Sequence, residues 1–267
     1  MAWYPEGLEK MTGVDISHYQ KGLTIRQIRD AGNAFAIIKL TEGDFLVDNA
    51  AFGFYHEAYE LGFPVGCYCY SHAAAPEQAR REAEFLLKTL NGFPMPCGIF
   101  LDVEEPKQLE LSNDKLAAVV DAWCAAIFEA GYVPGVYGSE FNLWAKLSPD
   151  ELPEGALVWA AHYGREPEMA CDLWQSSDSG SIPGSSGRVD TDEARSERFM
   201  ALVSRALPQP PPPKEELAHH TPPEADPVVM QLQACLRYAG CWPEEIDGLC
   251  SETFCERLCG YARSKRA

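Results

Sequence analysis

The stretch Gly98-Ile99-Phe100-Leu101-Asp102-Val103-Glu104-Glu105 decides how this chain is read. Ile99, Phe100 and Leu101 form an apolar run of the kind a strand covered on both faces requires. Asp102 and Glu104 follow at i and i+2. In a strand those positions share a face, with their backbones roughly 6–7 Å apart. Two carboxyls held together at a strand's end do not titrate alike, and one is driven toward its protonated form. That pairing is the raw material of glycosidic-bond cleavage, in which one group gives a proton and another supports positive charge on the sugar. The competing reading is a solvated acidic turn, closed by Pro106 and a helix beginning near Ser112.

Outward from this stretch, strand-like and helix-like segments alternate. Segments 13–17, 34–40, 65–71, 98–104 and 133–137 read as strands. Segments 24–31, 49–61, 76–90 and 114–130 read as helices, with Gly32, Gly62 and Gly131 as stop signals. Three more strand candidates, 157–161, 172–175 and 188–190, follow with little helix between them. Strand–helix repeats predict an α/β fold of parallel strands joined by right-handed crossovers. Eight strand candidates predict a closed, TIM-like β/α barrel with five β/α units and three closing strands; an open doubly wound sheet is the alternative.

A barrel gathers its functional residues at the C-terminal ends of its strands. The sequence places polar and aromatic groups there: Asp15 and Ser17, then Lys39, Thr41 and Glu42, then Tyr70 and His72, then Asp102 and Glu104. Tyr137, His162, Tyr163, Gln175, Asp190 and Asp192 complete the rim.

Composition narrows the function classes. The 267 residues allow one barrel with a small appendage. A net charge of −18 argues against nucleic-acid binding, which calls for a basic face. No run of 18 apolar residues exists, so no membrane insertion is expected. The N-terminus lacks the basic and apolar regions of a signal peptide, which predicts synthesis in the cytoplasm. No CxxC pair occurs among the ten cysteines, and cytoplasmic synthesis favours thiols. After Leu207 the chain turns proline-rich. Residues 11–207 read as the barrel, 208–227 as a stiff linker and 228–267 as a small helical module. Five cysteines, Cys235 to Cys259, fall in that last segment, where a zinc or disulfide role stays open.

Several separated blocks resemble glycoside hydrolase family 25, the lysozymes of N-acetylmuramidase type that are common in bacteria and as phage endolysins. The blocks are Asp15-Ile16-Ser17-His18-Tyr19-Gln20, Phe35 to Gly43, Leu101-Asp102-Val103-Glu104, Trp174-Gln175 and Val189-Asp190. The resemblance covers about residues 11–200. It implies a β/α barrel with five units and three closing strands, and cleavage of the β-1,4 bond between N-acetylmuramic acid and N-acetylglucosamine in peptidoglycan. Glu104 matches the general acid. Asp102 matches the carboxylate that stabilises an intermediate formed with the substrate's own acetamido group. Asp15 and Asp190 match the other pocket acids. Tyr68, Tyr137, Trp159 and Trp174 match sugar-facing or pocket-lining aromatics, and Glu42 and Gln175 match polar motif positions. No step needs a metal or cofactor. Cys69 stands where the family often has His, and Asp192 stands where Asn is frequent, adding a carboxylate.

The segment Val229 to Leu236, with Gly240, Ile246-Asp247-Gly248 and Thr253, resembles a small peptidoglycan-binding module. Such a tail would raise the local concentration of the barrel on its polymer. A wall substrate and no leader are reconciled by release as a phage or prophage endolysin or by a non-classical export route, and the sequence does not choose between them. Two readings of other classes remain at this point: an inactive glycan-binding barrel, and a metal-dependent hydrolase using His18, His72 and His162. The sequence is silent on oligomeric state.

Overall fold

A computed structural model of the chain describes residues 11–185 and 187–206. The linker and the C-terminal module, with their five cysteines, lie outside the described residues.

Eight strands close into a barrel. In order around it they are β1 (Thr12–Ile16), β2 (Phe35–Glu42), β4 (Val65–Tyr70), β5 (Ile99–Asp102), β6 (Pro134–Ser139), β7 (Leu157–Ala161), β8 (Leu173–Gly180) and β9 (Val189–Ala194). The short β3 (Leu46–Val47) folds back on β2 as a hairpin outside the ring. Neighbours from β1 through β8 pair in parallel. Strand β9 then runs antiparallel to both β8 and β1, and so closes the ring. The sequence reading assigns this closing strand without giving its direction. The polar run Ser176 to Gly180 carries no apolar alternation that would mark it as strand.

The helices are α1 (Ile25–Asp30), α2 (Ala51–Leu61), α3 (Pro76–Leu90), α4 (Pro106–Leu109), α5 (Asn113–Glu129) and α6 (Glu197–Ala206). Helix α1 opens on a reciprocal cap: Thr24 Oγ1 accepts the Gln27 N–H at 3.1 Å, and Gln27 Oε1 accepts the Thr24 N–H at 2.9 Å. Four crossovers carry an α-helix. The fifth, after β6, is built from turns and a single 3-10 turn at Pro149–Glu151. Helix α6, which the sequence reading does not assign, packs Phe199 and Val203 into the barrel's interior cluster. The Phe199 ring meets Phe35 edge-on at 5.1 Å.

The interior is aromatic. Trp159 lies at its centre, 4.5 Å from the Tyr137 ring, 5.2 Å from Phe100 and 6.3 Å from Tyr68, all edge-to-face. Cys67, Cys69, Cys97 and Cys124 are buried free thiols that pack as small apolar groups. Among the described residues no helix is long and apolar enough to cross a membrane.

Gly135 on β6 lies flat against this core, and a Cβ there would come within 2.3 Å of the Phe100 ring. Gly135→Ala is therefore expected to destabilise by about 1–3 kcal/mol through overpacking. Gly53 on α2 has open space around it. Gly53→Ala is expected to stabilise by roughly 0.5–1 kcal/mol. Urea unfolding of both variants checks the pair, and equal midpoints would contradict the packing described.

Candidate active site

The C-terminal ends of the strands open onto a cleft of about 490 Å³. Asp15, Glu42, Tyr68, Asp102, Glu104, Tyr137, Trp159, Gln175 and Asp190 all line it. Tyr19, Lys39, Tyr70 and Glu105 join them.

Strand β5 ends at Asp102, shorter than the sequence suggests, and Glu104 lies two residues past it. The extended course continues even so: the Val103 N–H donates to Tyr137 O at 3.0 Å. Asp102 is buried on the strand end, whereas Glu104 is exposed at the mouth. Asp102 Oδ1 is a buried acceptor with no hydrogen-bond partner.

Across the cleft, Gln175 ties three strands and a loop together. Its Oε1 accepts the Tyr137 and Tyr163 hydroxyls, each at 2.8 Å. Its Nε2 donates to Asp15 Oδ2 at 2.8 Å. Asp15 and Asp190 are register partners on β1 and β9, so their side chains sit side by side on the inner face.

The opposite rim is an ionic cluster. Lys39 Nζ donates to Glu42 Oε2 at 2.7 Å and lies 5.0 Å over the Tyr70 ring. The Lys39 hydrogen bond holds the Glu42 carboxyl below its ordinary range. His72 sits between two acids, with Nε2 3.2 Å from Glu42 and Nδ1 3.1 Å from Glu105. Buried Glu82 anchors that loop by accepting from Ser71 Oγ at 2.7 Å and from the His72 N–H at 3.0 Å.

Crowding governs the acids. Burial pushes Asp15 up to about 8, and the charge of Asp190 adds to it. Burial, with Asp178 and Glu104 nearby, pushes Asp190 up to about 6. Burial and the Glu104 charge hold Asp102 well above the carboxylate range. Glu104 is raised because the cleft walls remove water from it. Like charges in so little water cannot all ionise.

Trp174 does not line the cleft. Gln175 points into the cleft and Leu173 into the core, so alternation turns Trp174 to the other face. There its indole N–H donates to His162 O at 2.7 Å, and Arg195 covers its ring at 5.4 Å. Tyr163 bonds to Gln175, a role that its position at the end of a strand does not reveal. His18 pairs with Asp48 at 2.7 Å, and His162 stands 3.6 Å from Glu140. Among the described residues, no three His, Cys, Asp or Glu side chains gather as metal ligands would.

The sequence profile of the family described as Glycosyl hydrolases family 25 matches residues 14–185. The chain is 30% identical over 186 residues to the autolytic lysozyme of Clostridium acetobutylicum, covering 68% of this chain and 55% of that protein. It thus spans little more than half the length of that relative. It is 33% identical over 192 residues to the uncharacterized protein YegX of Escherichia coli O157:H7, covering 67% of each chain. The catalytic domain of endolysin ply40 from bacteriophage P40 of Listeria monocytogenes superposes with a TM-score of 0.63 at 22% identity, covering 73% of this chain and 98% of that domain.

The raised carboxyls make stability pH-dependent. Each binds its proton more tightly folded than unfolded, so its contribution is complete below the ordinary carboxyl range. That contribution is lost as pH rises through the folded values. The melting temperature is expected to fall between about pH 4 and about pH 8. A melting temperature that stays level or rises across that window would show that folding does not raise these acids.

Proposed function

Because the chain belongs to family 25 of the glycosyl hydrolases, we propose that it is an active lysozyme. Its reaction is hydrolysis of the β-1,4 bond between N-acetylmuramic acid and N-acetylglucosamine in bacterial peptidoglycan. The observation that carries this reading is the pair of acids at the end of β5, one buried and one exposed, on a cleft floored by aromatic rings. Tyr68, Tyr137 and Trp159 suit the apolar faces of sugar rings.

Glu104 is the general acid. It stands at the mouth, where a leaving-group oxygen is within reach, and burial raises its proton affinity, as a proton donor requires. Asp102 sits beneath it and takes the electrostatic role. Its unpartnered Oδ1 is an acceptor that the substrate's acetamido N–H is suited to fill. Asp102 reacts from its carboxylate form, which accepts that N–H and supports the positive charge as it develops on the sugar. The acetamido oxygen attacks the anomeric carbon, the glycosidic C–O bond breaks, and the Glu104 proton goes to the leaving oxygen. Water then opens the intermediate, returning a proton to Glu104. Asp15, held by Gln175, and Asp190 fix the sugar from the far wall.

The resemblance to an autolytic lysozyme and to the catalytic domain of a phage endolysin supports placing this work at the bacterial cell wall. Release as an endolysin, with the C-terminal segment as a wall-binding tail, completes the reading.

Glu104→Gln is expected to lower the rate of cell-wall digestion at least about a hundredfold, because it removes only the transferable proton. Its melting temperature and its sedimentation with purified walls should stay at wild-type values. Wild-type digestion by Glu104→Gln would assign proton donation to another group.

A further inference from the structure

Asp192 is a buried acid that the reaction above leaves unused. It lies on β9 with 1% of its surface exposed. Its register partners are Gly13 on β1 and Gln175 on β8. Gly13 offers no side chain, and the Phe35 ring already fills the place of its Cβ, at 2.4 Å. Asp192 Oδ1 accepts the Trp159 indole N–H at 2.8 Å. Asp192 Oδ2 is buried and has no hydrogen-bond partner. The charged groups acting on it are Asp15 from β1 and Asp190 on its own strand; Trp159 of β7 and Gln175 of β8 carry no charge.

A buried carboxylate with one undonated oxygen bears its full desolvation cost. A proton on Oδ2 removes the charge and turns the same oxygen into a donor. Asp15, two residues along β1 from Gly13, is the acceptor on hand, its side chain within hydrogen-bonding reach of Asp192. Burial raises both Asp15 and Asp192, so near neutral pH the pair shares a proton. Asp15 already receives the Gln175 amide, which favours its ionised form, whereas Asp192 Oδ2 receives nothing, so the shared proton rests on Asp192.

We propose that Asp192 is a positioning residue that stays protonated at neutral pH, holding the Trp159 indole with one oxygen and donating the proton on the other to Asp15. A single neutral acid then joins the ring on the cleft floor to a cleft carboxylate. Burial and the Asp15 charge both act to keep that proton in place. Losing it would set two carboxylates against each other and release Asp15. Asparagine could make both hydrogen bonds at every pH, accepting from Trp159 with Oδ1 and donating to Asp15 with Nδ2. An aspartate in this position makes the link depend on pH. Its effect on catalysis rests on the lysozyme reading; the proton itself does not.

The test compares Asp192→Asn and Asp192→Ala with wild type in the full chain. Three measurements are made on each: infrared difference spectra at neutral pH, melting temperature against pH, and the pH profile of cell-wall digestion. Asp192→Asn should lose the carbonyl band of one protonated carboxylic acid and show a shallower fall of melting temperature with rising pH. It should digest walls at the wild-type rate in acid, and its alkaline limb should move to higher pH. Asp192→Ala should digest more slowly at every pH. An unchanged infrared band together with an unchanged slope in Asp192→Asn would show that Asp192 is ionised and overturn the proposal. An asparagine variant no faster than the alanine variant would overturn the positioning role. Were wild type to digest nothing, the lysozyme reading would fail, and the infrared band would still decide the proton.

Discussion

Asp15, Asp102, Asp190 and Asp192 come from three strands, yet they share one end of a barrel whose interior is packed with Trp159, Phe100 and Tyr137. Closing the sheet forces this meeting. The antiparallel β9 bonds to β8 on one side and β1 on the other, which makes Asp15 and Asp190 register partners although they are far apart in the chain. Burial at that end takes water away from the carboxyls. The acids must therefore hold protons that exposed carboxyls would give up. Raised proton affinity follows from this geometry and needs no unusual residue.

The cleft has two walls of different character. One is a neutral amide network in which Gln175 receives two phenols and holds Asp15. The other is ionic, with Lys39, Glu42, His72 and Glu105 in contact around the mouth. Both are supported from behind, the first by the β8–β9 pairing and the second by buried Glu82 and Gln108, which fix the loop after β4. Fixed dipoles and charges in a site that does not reorganise are what transition-state stabilisation requires.

Much of this was legible in the sequence because it is written in short-range pattern. Runs such as Phe35 to Leu40 and Ile99 to Leu101 carry their own burial signal, and the barrel's convention places polar residues at strand ends. What was not legible depends on neighbours distant in sequence. Beside Gln175 in the sequence, Trp174 reads as a cleft residue, whereas alternation along β8 turns it to the other face. The hub role of Gln175 links it to Asp15 across 160 positions, which no local pattern encodes. The turn α4 and the hairpin strand β3 are too short for periodicity to show. Helix α6 did carry a signal, with Phe199 and Val203 four apart, but the polar residues around them masked it.

The central claim is that the paired acids after β5 cut one particular bond of peptidoglycan. It is tested most directly by digesting purified peptidoglycan, reducing the products and identifying the new reducing ends by mass spectrometry. The account predicts reduced N-acetylmuramic acid at the new ends, absent when Glu104→Gln replaces the wild type. New ends on N-acetylglucosamine, or the same products from Glu104→Gln, would contradict it.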